Sequence, residues 1–448
     1  MSPHLIGIDR IWFRATSFNA AHSPWNMTLP DFFSLSQRFA SRALEDVEAS
    51  VARTLTESDL SELIRQGQKV GIAVGSRGIT NLDRIVGEVV RYVTSLGGEP
   101  VIIPAMGSHG GATSKGQIEL LAGYGVSVET LGCSIDAAME TVSVGMTEQG
   151  ATIHFSEAAS RMDHVIVVNR VKPHTRLSGR YESGLIKMLM IGLGKHHGAS
   201  LYHQIFRRFD YSLNELAPPI TSMIIDKMPI TMGLAIVEDA FEQTALVEAV
   251  PANQFLDREP ELLNLAKEWM PQLPFDDADL LIVDQIGKEI SGTGMDTNVI
   301  GRKVFDKHAA PGETPKIRQI YVRSLTEKTN GNACGIGLAD YCHRDVVSAL
   351  NEDVTRINCI TSAHAGAGAV PLSFTSDREV LNAVLSQAAD DEKDRLRWMW
   401  IKDTLHVDRV VCSRSYWESA QQLENVQVLG QPSCLQFDEQ GNLVDQYD

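Results

Sequence analysis

The residues best equipped for chemistry lie close together near the middle of the chain. His174, Lys187 and His203 fall within thirty positions of one another. An imidazole exchanges protons near neutral pH and binds transition metals, and a lysine flanked by apolar residues is where the lowered pKa of a nucleophilic amine is sought. We therefore expect a catalytic site in this stretch. Additional cations surround it, namely Arg170, Lys172, Arg176 and Arg180.

The spacing of glycines in this stretch predicts two helices rather than one. Ser183-Gly184 is typical of a helix start, and Gly192-Leu193-Gly194 predicts a break before a second helix that carries His203. In one uninterrupted helix, residues sixteen positions apart would lie about 160° apart around the axis. The break is therefore what allows Lys187 and His203 to point to one place.

Two strand, loop and helix units precede this stretch. The apolar run Val70 to Val74 leads into Gly75-Ser76-Arg77-Gly78, and Pro100 to Pro104 leads into a glycine-rich loop that contains His109. Such units in succession predict a parallel sheet whose functional loops lie at the carboxyl ends of its strands. A helix N-terminus beside the arginine of the first loop would bind an anion, although a surface arginine and a solvated histidine fit the same pattern.

The length of the chain predicts two domains, because 448 residues exceed the limit of about 250 to 300 at which a single core stops growing. The segment 271–279 (PQLPFDDAD) has the composition of a linker. We therefore predict an N-terminal cofactor-binding and catalytic domain over residues 1–272 and a C-terminal α/β domain over 280–448. Helical spacing of apolar residues predicts helices from Leu35 to Ile64.

A third unit of the same design opens the C-terminal part of the chain. The apolar run Leu280 to Val283 leads into a glycine-rich loop that contains Gln285 and Lys288. The predicted fold class is therefore α/β, with two α/β domains, mostly parallel sheets, and the active site in the cleft between the domains.

Composition narrows the class of protein. The net charge of −17 and the sequence pI of about 5.2 argue against nucleic acid or an anionic membrane as a partner. The apolar runs have the length of strands, and Met1 to Ser17 lack the apolar core of a signal peptide. The expected location is the cytoplasm.

The six cysteines are scattered and include no CxxC pair, so they predict neither a zinc site nor a disulfide framework. We interpret them as ordinary reduced thiols. His364 lies in a turn of small residues, and we interpret it as a structural histidine.

Six short motifs occur in an order that resembles the nickel-dependent lactate racemase family and its 2-hydroxyacid racemase and epimerase relatives. They are Gly-Ser-Arg-Gly at 75–78, Gly-Ser-His-Gly-Gly at 107–111, Val-Lys-Pro-His at 171–174, Ser-Gly-Leu-Ile-Lys at 183–187, His203, and Gln-Ile-Gly-Lys at 285–288. Each motif is weak by itself, and their shared order is the specific signal.

The resemblance implies a nickel-pincer nucleotide, a pyridinium mononucleotide that binds nickel through S, C and S. Lys187 would hold this cofactor covalently as a thioamide. His203 would be the protein ligand of nickel, with His196 and His197 as rivals. The remaining two histidines of the motifs, His109 and His174, would be the acid and base that serve both hands of a 2-hydroxy acid while hydride passes between substrate C2 and cofactor.

Other motif residues would bind substrate or cofactor. The resemblance implies that Arg77, Gln285 and Lys288 hold the substrate carboxylate, with Ser76 and Arg77 as alternative ligands of the nucleotide phosphate. The predicted partners are a small 2-hydroxy acid and the proteins that synthesise the cofactor, without nucleic acid or membrane. Self-association is left open.

The chain also departs from the family pattern. Ser76-Arg77-Gly78 stands where the nearest lactate racemases have Thr-Arg-Pro, and extra residues separate His174 from Lys187. Together with the cations Arg176 and Arg180, these departures favour a larger or more oxygenated acid than lactate. We expect either an aldonate-type sugar acid or a malate-like diacid.

Two other classes of function fit the same residues. In the first, His109, His174 and His203 bind zinc for hydrolysis, with Lys187 as an electrostatic helper. In the second, the chain is a non-catalytic protein that binds a sugar acid or a nucleotide between two domains. Metal content would separate the zinc enzyme from the racemase, and turnover would separate both from a binding protein.

Overall fold

The computed structural model describes residues 28–75, 78–148, 150 and 152–447, with the side chains of His203, Gln204 and Arg207 left out. The strands, numbered along the chain, are β1 (Phe32–Gln37), β2 (Lys69–Val74), β3 (Glu99–Pro104), β4 (Ser134–Ile135), β5 (Thr141–Met146), β6 (Thr152–Ser156), β7 (His164–Arg170), β8 (Ile230–Glu238), β9 (Thr244–Pro251), β10 (Asp277–Ile286), β11 (Lys316–Leu325), β12 (Tyr341–His343), β13 (Leu372–Phe374), β14 (Trp398–Ile401), β15 (Arg409–Ser413) and β16 (Val426–Ser433).

The α-helices are numbered in the same way. They are α1 (Val47–Thr56), α2 (Leu60–Leu63), α3 (Leu82–Ser95), α4 (Ser114–Gly123), α5 (Val128–Leu131), α6 (Glu157–Ser160), α7 (Leu185–Lys187), α8 (Lys195–Phe206), α9 (Ala217–Lys227), α10 (Phe255–Trp269), α11 (Arg344–Ala349), α12 (Glu352–Thr361), α13 (Asp377–Leu385) and α14 (Trp417–Ala420). Among the helices described, none combines the length and the apolar character that crossing a bilayer requires.

The first sheet is built mainly from parallel strands. Its order is β4-β3-β2-β7-β8-β9, and β9 runs antiparallel to β8 at one edge. Successive residues of a strand face opposite sides of a sheet. Ile72 and Val168 accordingly pack in a core with α3, whereas Ala73 and Val167 pack in a second core with α7 and α8. Both faces of the sheet are therefore buried, as expected for a parallel sheet.

The second sheet has the order β13-β12-β11-β10-β14-β15-β1-β16. The strands from β13 to β14 are parallel, and the strands from β15 to β16 continue the sheet in antiparallel pairs. Leu281 and Val283 of β10 lie in one core, and Leu280 and Ile282 lie in another on the opposite face. The predicted α/β class with mostly parallel sheets is confirmed.

The N-terminal part departs from the sequence-based expectations. Helices were expected from Leu35, but residues 32–37 form β1 and the first helix begins at Val47. Phe32 and Phe33 bury their rings on opposite faces of the second sheet, which explains why an apolar run is used here as a strand. The predicted domain boundary at residue 272 would place this segment with the first sheet. Because β1 pairs with β15 and β16, the segment belongs to the second sheet instead.

Candidate active site

A cavity of about 510 Å³ lies where loops from the two sheets meet. We call its lining residues between Gly75 and Tyr211 the first wall, and those between Lys288 and His364 the second wall. The first wall follows the carboxyl ends of β2, β3 and β7 and continues through α7 and α8. The location agrees with the general rule that ligands of parallel sheets bind at the carboxyl ends of strands.

Lys187 lies on the first wall at the end of α7. The helix begins after Gly184, as predicted, and the carboxylate of Glu259 accepts the backbone N–H of Ile186 at 2.8 Å. A side chain at Gly184 would have its Cβ 2.5 Å from the carboxyl carbon of Glu259, so only glycine allows this approach. Glu259 is fully buried, and burial raises its pKa to about 7.

The predicted break after this helix is confirmed. A π-helical turn spans Met188–Gly192, and α8 starts at Lys195. A Cβ on Gly192 would lie 2.6 Å from the carbonyl oxygen of Ala105, which explains the glycine. The lysine of this stretch that is completely buried is Lys195, whose Nζ donates to the Pro104 carbonyl at 2.7 Å. Burial lowers the pKa of Lys195 to about 8.

His174 lies on the first wall in the loop after β7, with its imidazole held by backbone groups. Its Nδ1 accepts the N–H groups of Arg176 and Leu177, each at 3.0 Å. A ring nitrogen that accepts hydrogen bonds carries no proton, so the neutral ring has its proton on Nε2. The backbone N–H of His174 donates to Glu182 at 2.7 Å. The side chain is therefore fixed in the tautomer that donates from Nε2.

His109 lies on the same wall in the loop after β3. Gln117, which is fully buried on α4, donates to the carbonyl oxygens of Gly107 at 3.0 Å and His109 at 3.3 Å. These two hydrogen bonds fix the position of the loop that carries His109. Gln117 was not singled out from the sequence, because an isolated glutamine in a helix gives no local signal.

A buried charge cluster joins the His174 loop to the second half of the chain. Glu182 is 1% exposed and pairs with Lys267 at 2.8 Å and with Lys303. Burial lowers the pKa of Lys303, and Glu182 opposes that shift. Asn298 donates to the His174 carbonyl oxygen at 3.3 Å. This cluster was not predicted from the sequence, because Lys267 and Lys303 lie 85 and 121 positions after Glu182.

Not all of the predicted substrate and cofactor ligands line the cavity among the described residues. Lys288 lies on the second wall and donates from Nζ to Asn358 at 3.1 Å. Gln285 is in β10 and is not among the residues that line the cavity. Ser76 and Arg77 lie outside the described residues, although Gly75 beside them lines the cavity.

His364 also lies on the second wall, so its interpretation as a structural residue missed its position beside the cavity. Its Nε2 pairs with the Asp306 carboxylate at 2.8 and 2.9 Å. Arg176, 3.8 Å from Asp306, stacks its guanidinium 4.1 Å from the ring centre of Tyr211. The hydrogen bond with His364 is the main reason why the pKa of Asp306 is lowered. Arg180 is not among the lining residues.

The described side chains form no cluster of metal ligands, and the cysteines are free thiols. Where side chains are described, no three histidine, cysteine, aspartate or glutamate residues lie close enough together to bind a metal ion, and His203 falls outside that set. All six cysteines are free thiols, as predicted. Cys334 lines the cavity and packs against Cys359, and burial raises the pKa of Cys359 to about 12.

The chemistry available to this cavity follows from its parts. The first wall holds two imidazoles, the amines of Lys172 and Lys187 and the guanidinium groups of Arg170 and Arg176. The second wall holds amide, hydroxyl and ammonium groups together with the imidazole of His364. Imidazoles suit proton exchange with a substrate hydroxyl, and a cavity amine suits a covalent link or an electrostatic role. The arrangement is that of a site for acid–base chemistry on a small polar molecule.

Comparison with known proteins places these residues in a family context. Residues 34–211 match the model of the lactate racemase N-terminal domain, so the matched span includes the whole of the first wall and none of the second. No curated protein matches the chain significantly.

Two solved structures are similar to the chain. A protein from Thermotoga maritima is 14% identical, with 72% of this chain and 82% of that chain covered and a TM-score of 0.46. The lactate racemase apoprotein from Thermoanaerobacterium thermosaccharolyticum is 13% identical, with 84% of this chain and 89% of that chain covered and a TM-score of 0.46.

Proposed function

We propose that the chain, whose residues 34–211 match the model of the lactate racemase N-terminal domain, is a racemase or epimerase of a 2-hydroxy acid that uses a nickel-pincer nucleotide. One observation carries the proposal. His109 from the loop after β3, His174 from the loop after β7 and Lys187 from α7 line one cavity. Three groups that the family motifs select are thus available to a single ligand.

The surroundings of Lys187 fit such a cofactor. The cavity volume lies in the range of about 300 to 1,000 Å³ that is typical of small-molecule and cofactor sites. Small residues are among those that line it, namely Gly75, Ala105, Gly192 and Ala199. When bound, the cofactor would supply a hydride acceptor. Lys187 would hold it covalently.

The nickel ligand would come from α8. Position 203 is four residues after Ala199 and three before Phe206, and both of these residues line the cavity. Residues at this spacing share one face of a helix. The proposal therefore assigns His203 as the protein ligand of nickel, a metal that imidazole suits.

The two first-wall histidines would handle the hydroxyl proton. His174 holds its proton on Nε2 and would donate from there to a substrate oxygen, which leaves His109 to take the hydroxyl proton. Lys288 would attract the substrate carboxylate from the second wall, together with Arg77 as the motifs imply, whereas Gln285 does not line the cavity. Proteins that synthesise the cofactor are proposed partners.

The test is intact mass together with nickel content, on protein from a cell that makes the cofactor. We expect a nucleotide-sized mass increment and nearly one nickel per chain in the wild type, and neither in Lys187→Ala. Lys115→Ala is the matched control, because that lysine side chain is 86% exposed on α4. Protein without increment or nickel would overturn the proposal, and zinc without an adduct would favour hydrolysis.

A further inference from the structure

We propose that the second wall, together with Arg176, binds the hydroxylated tail of the substrate, so that the protein acts on a polyhydroxylated 2-hydroxy acid of the aldonate class. The inference rests on the proposed function, because it names the substrate class of that site. It is carried by the hydrogen-bonding state of the groups that face the cavity.

The hydroxyl groups at the end of α12 on the second wall already donate hydrogen bonds to backbone carbonyl oxygens. Thr361 donates to the carbonyl oxygen of Ile357 at 2.7 Å, and Ser362 donates to that of Cys359 at 3.2 Å. Each hydroxyl oxygen can still accept a hydrogen bond. Both residues line the cavity, so this end of α12 offers acceptors to a ligand.

Asn358 and His364 add further hydrogen-bonding groups to the second wall. The side-chain oxygen of Asn358 accepts from Lys288, which leaves its NH₂ group as the donor that it offers. The Nε2 of His364 is occupied by its hydrogen bond with Asp306, so Nδ1 is the ring nitrogen that it offers to a ligand. A wall with donors and acceptors side by side suits hydroxyl groups, which both donate and accept.

Arg176 supplies a further donor. Its Nε is buried and makes no hydrogen bond within the described structure. A buried N–H without a partner is rare in native proteins, and an oxygen of a ligand would satisfy it. Stacking on Tyr211 holds the guanidinium in place beside the cavity.

Charge favours hydroxyl groups over a second carboxylate at this position. The Arg176 charge is offset by Asp306 at 3.8 Å, and the ammonium group of Lys288 is the one assigned to the substrate carboxylate. A malate-like diacid would need a further cation beside the tail, and the described lining residues of the second wall include no lysine or arginine besides Lys288. Hydroxyl groups need none, which separates the two substrate classes that the sequence leaves open.

The experiment measures binding and turnover in parallel on cofactor-loaded protein, with D-gluconate, L-malate and L-lactate as probes. We expect gluconate to bind at least about tenfold more tightly than lactate, because a site built for substrate hydroxyls discriminates against an analogue without them. The gluconate-to-lactate affinity ratio should fall about tenfold or more in Arg176→Met and stay within about twofold in Arg180→Met. Ser362→Ala provides a second, smaller test at an exposed position, with an expected fall of about threefold.

The outcomes separate this inference from the proposed function. Turnover of hydroxy acids without a preference for gluconate would overturn the tail site and leave the reaction in place. Tighter binding of malate than of gluconate would overturn it in favour of a diacid. A gluconate preference that Arg176→Met abolishes, without turnover of any acid, would support the tail site and overturn the reaction.

Discussion

The two walls of the cavity offer a ligand different chemistry. The first wall holds His109, His174 and Lys187 beside both cations and apolar residues, such as Ile191 and Phe206. The second wall is made largely of amide, hydroxyl and ammonium groups. Apolar neighbours strengthen electrostatic effects at a reacting centre, whereas a surface of hydrogen-bonding groups selects ligands by shape and polarity. We infer that reaction and recognition are divided between the halves of the chain.

The division is useful because it predicts different kinetic consequences. A change on the first wall should lower kcat for every substrate, since it removes groups used by the reaction itself. A change on the second wall should act mainly on binding. The cluster of Glu182 and Lys303 joins the walls, so a change there should affect the stability of the fold and the placement of His174 together.

The largest effect is expected at His174, on the first wall. His174→Gln removes a proton donor that two backbone N–H groups hold in place, and general acid–base groups contribute about 10² to 10⁴ in rate. We expect kcat to fall by that factor for all hydroxy acids that the protein converts. Stereoselective chromatography of the product measures it. His308→Gln is the control at an exposed histidine, and a change confined to KM would contradict the division of roles.

The next effect concerns the cluster that joins the walls. Glu182→Gln leaves Lys303 buried without its countercharge, and breaking a buried pair costs about 3 to 5 kcal/mol. Urea unfolding measures the loss. Glu248→Gln breaks a pair that is about one-third exposed and should cost about 1 kcal/mol or less. Equal losses of unfolding free energy in the two variants would show that the cluster does not hold the two halves of the chain together.

Much of the first wall could be predicted from the sequence. The break between Lys187 and α8 could be predicted, because it depends on glycines a few residues away. His109 and His174 could be placed at one edge of a sheet, because each follows an apolar strand. These signals come from neighbouring residues in the sequence, and they place most of the reactive residues of the first wall.

The second wall depends on contacts between distant residues. His364 is 58 positions from Asp306, and no pattern near either residue indicates that they pair. The strand β1 was mistaken for a helix, because its partners β15 and β16 lie at the other end of the chain. Tertiary pairing overrides local propensity in such places. This is why the fold class was predictable while the groups that select a substrate were not.

A third prediction concerns the pH dependence of the free energy of unfolding that arises from Glu259, which supports α7 on the first wall. The pKa of Glu259 rises from 4.5 to about 7 on burial, so the folded protein binds a proton more tightly than the unfolded chain does. The stabilisation is complete below pH 4.5 and is lost as pH rises through 7, by about 3 kcal/mol in all. Glu259→Gln should remove this slope and still accept the Ile186 N–H. Chemical unfolding from pH 5 to 8 compares the two proteins, and parallel curves would contradict the assignment.

The smallest effect is expected on the second wall, at Asn358. Asn358→Ala removes the acceptor that holds the Lys288 ammonium group at 3.1 Å, and a hydrogen bond of this kind is worth about 1 kcal/mol, or about fivefold in KM. Because the reacting groups are on the other wall, kcat should stay within about twofold of the wild type. Steady-state kinetics on one substrate measure both constants, with Asn425→Ala at an exposed position as the control. A fall in kcat as large as that of His174→Gln would mean that Lys288 takes part in the reaction itself, and the two walls would then share the chemistry.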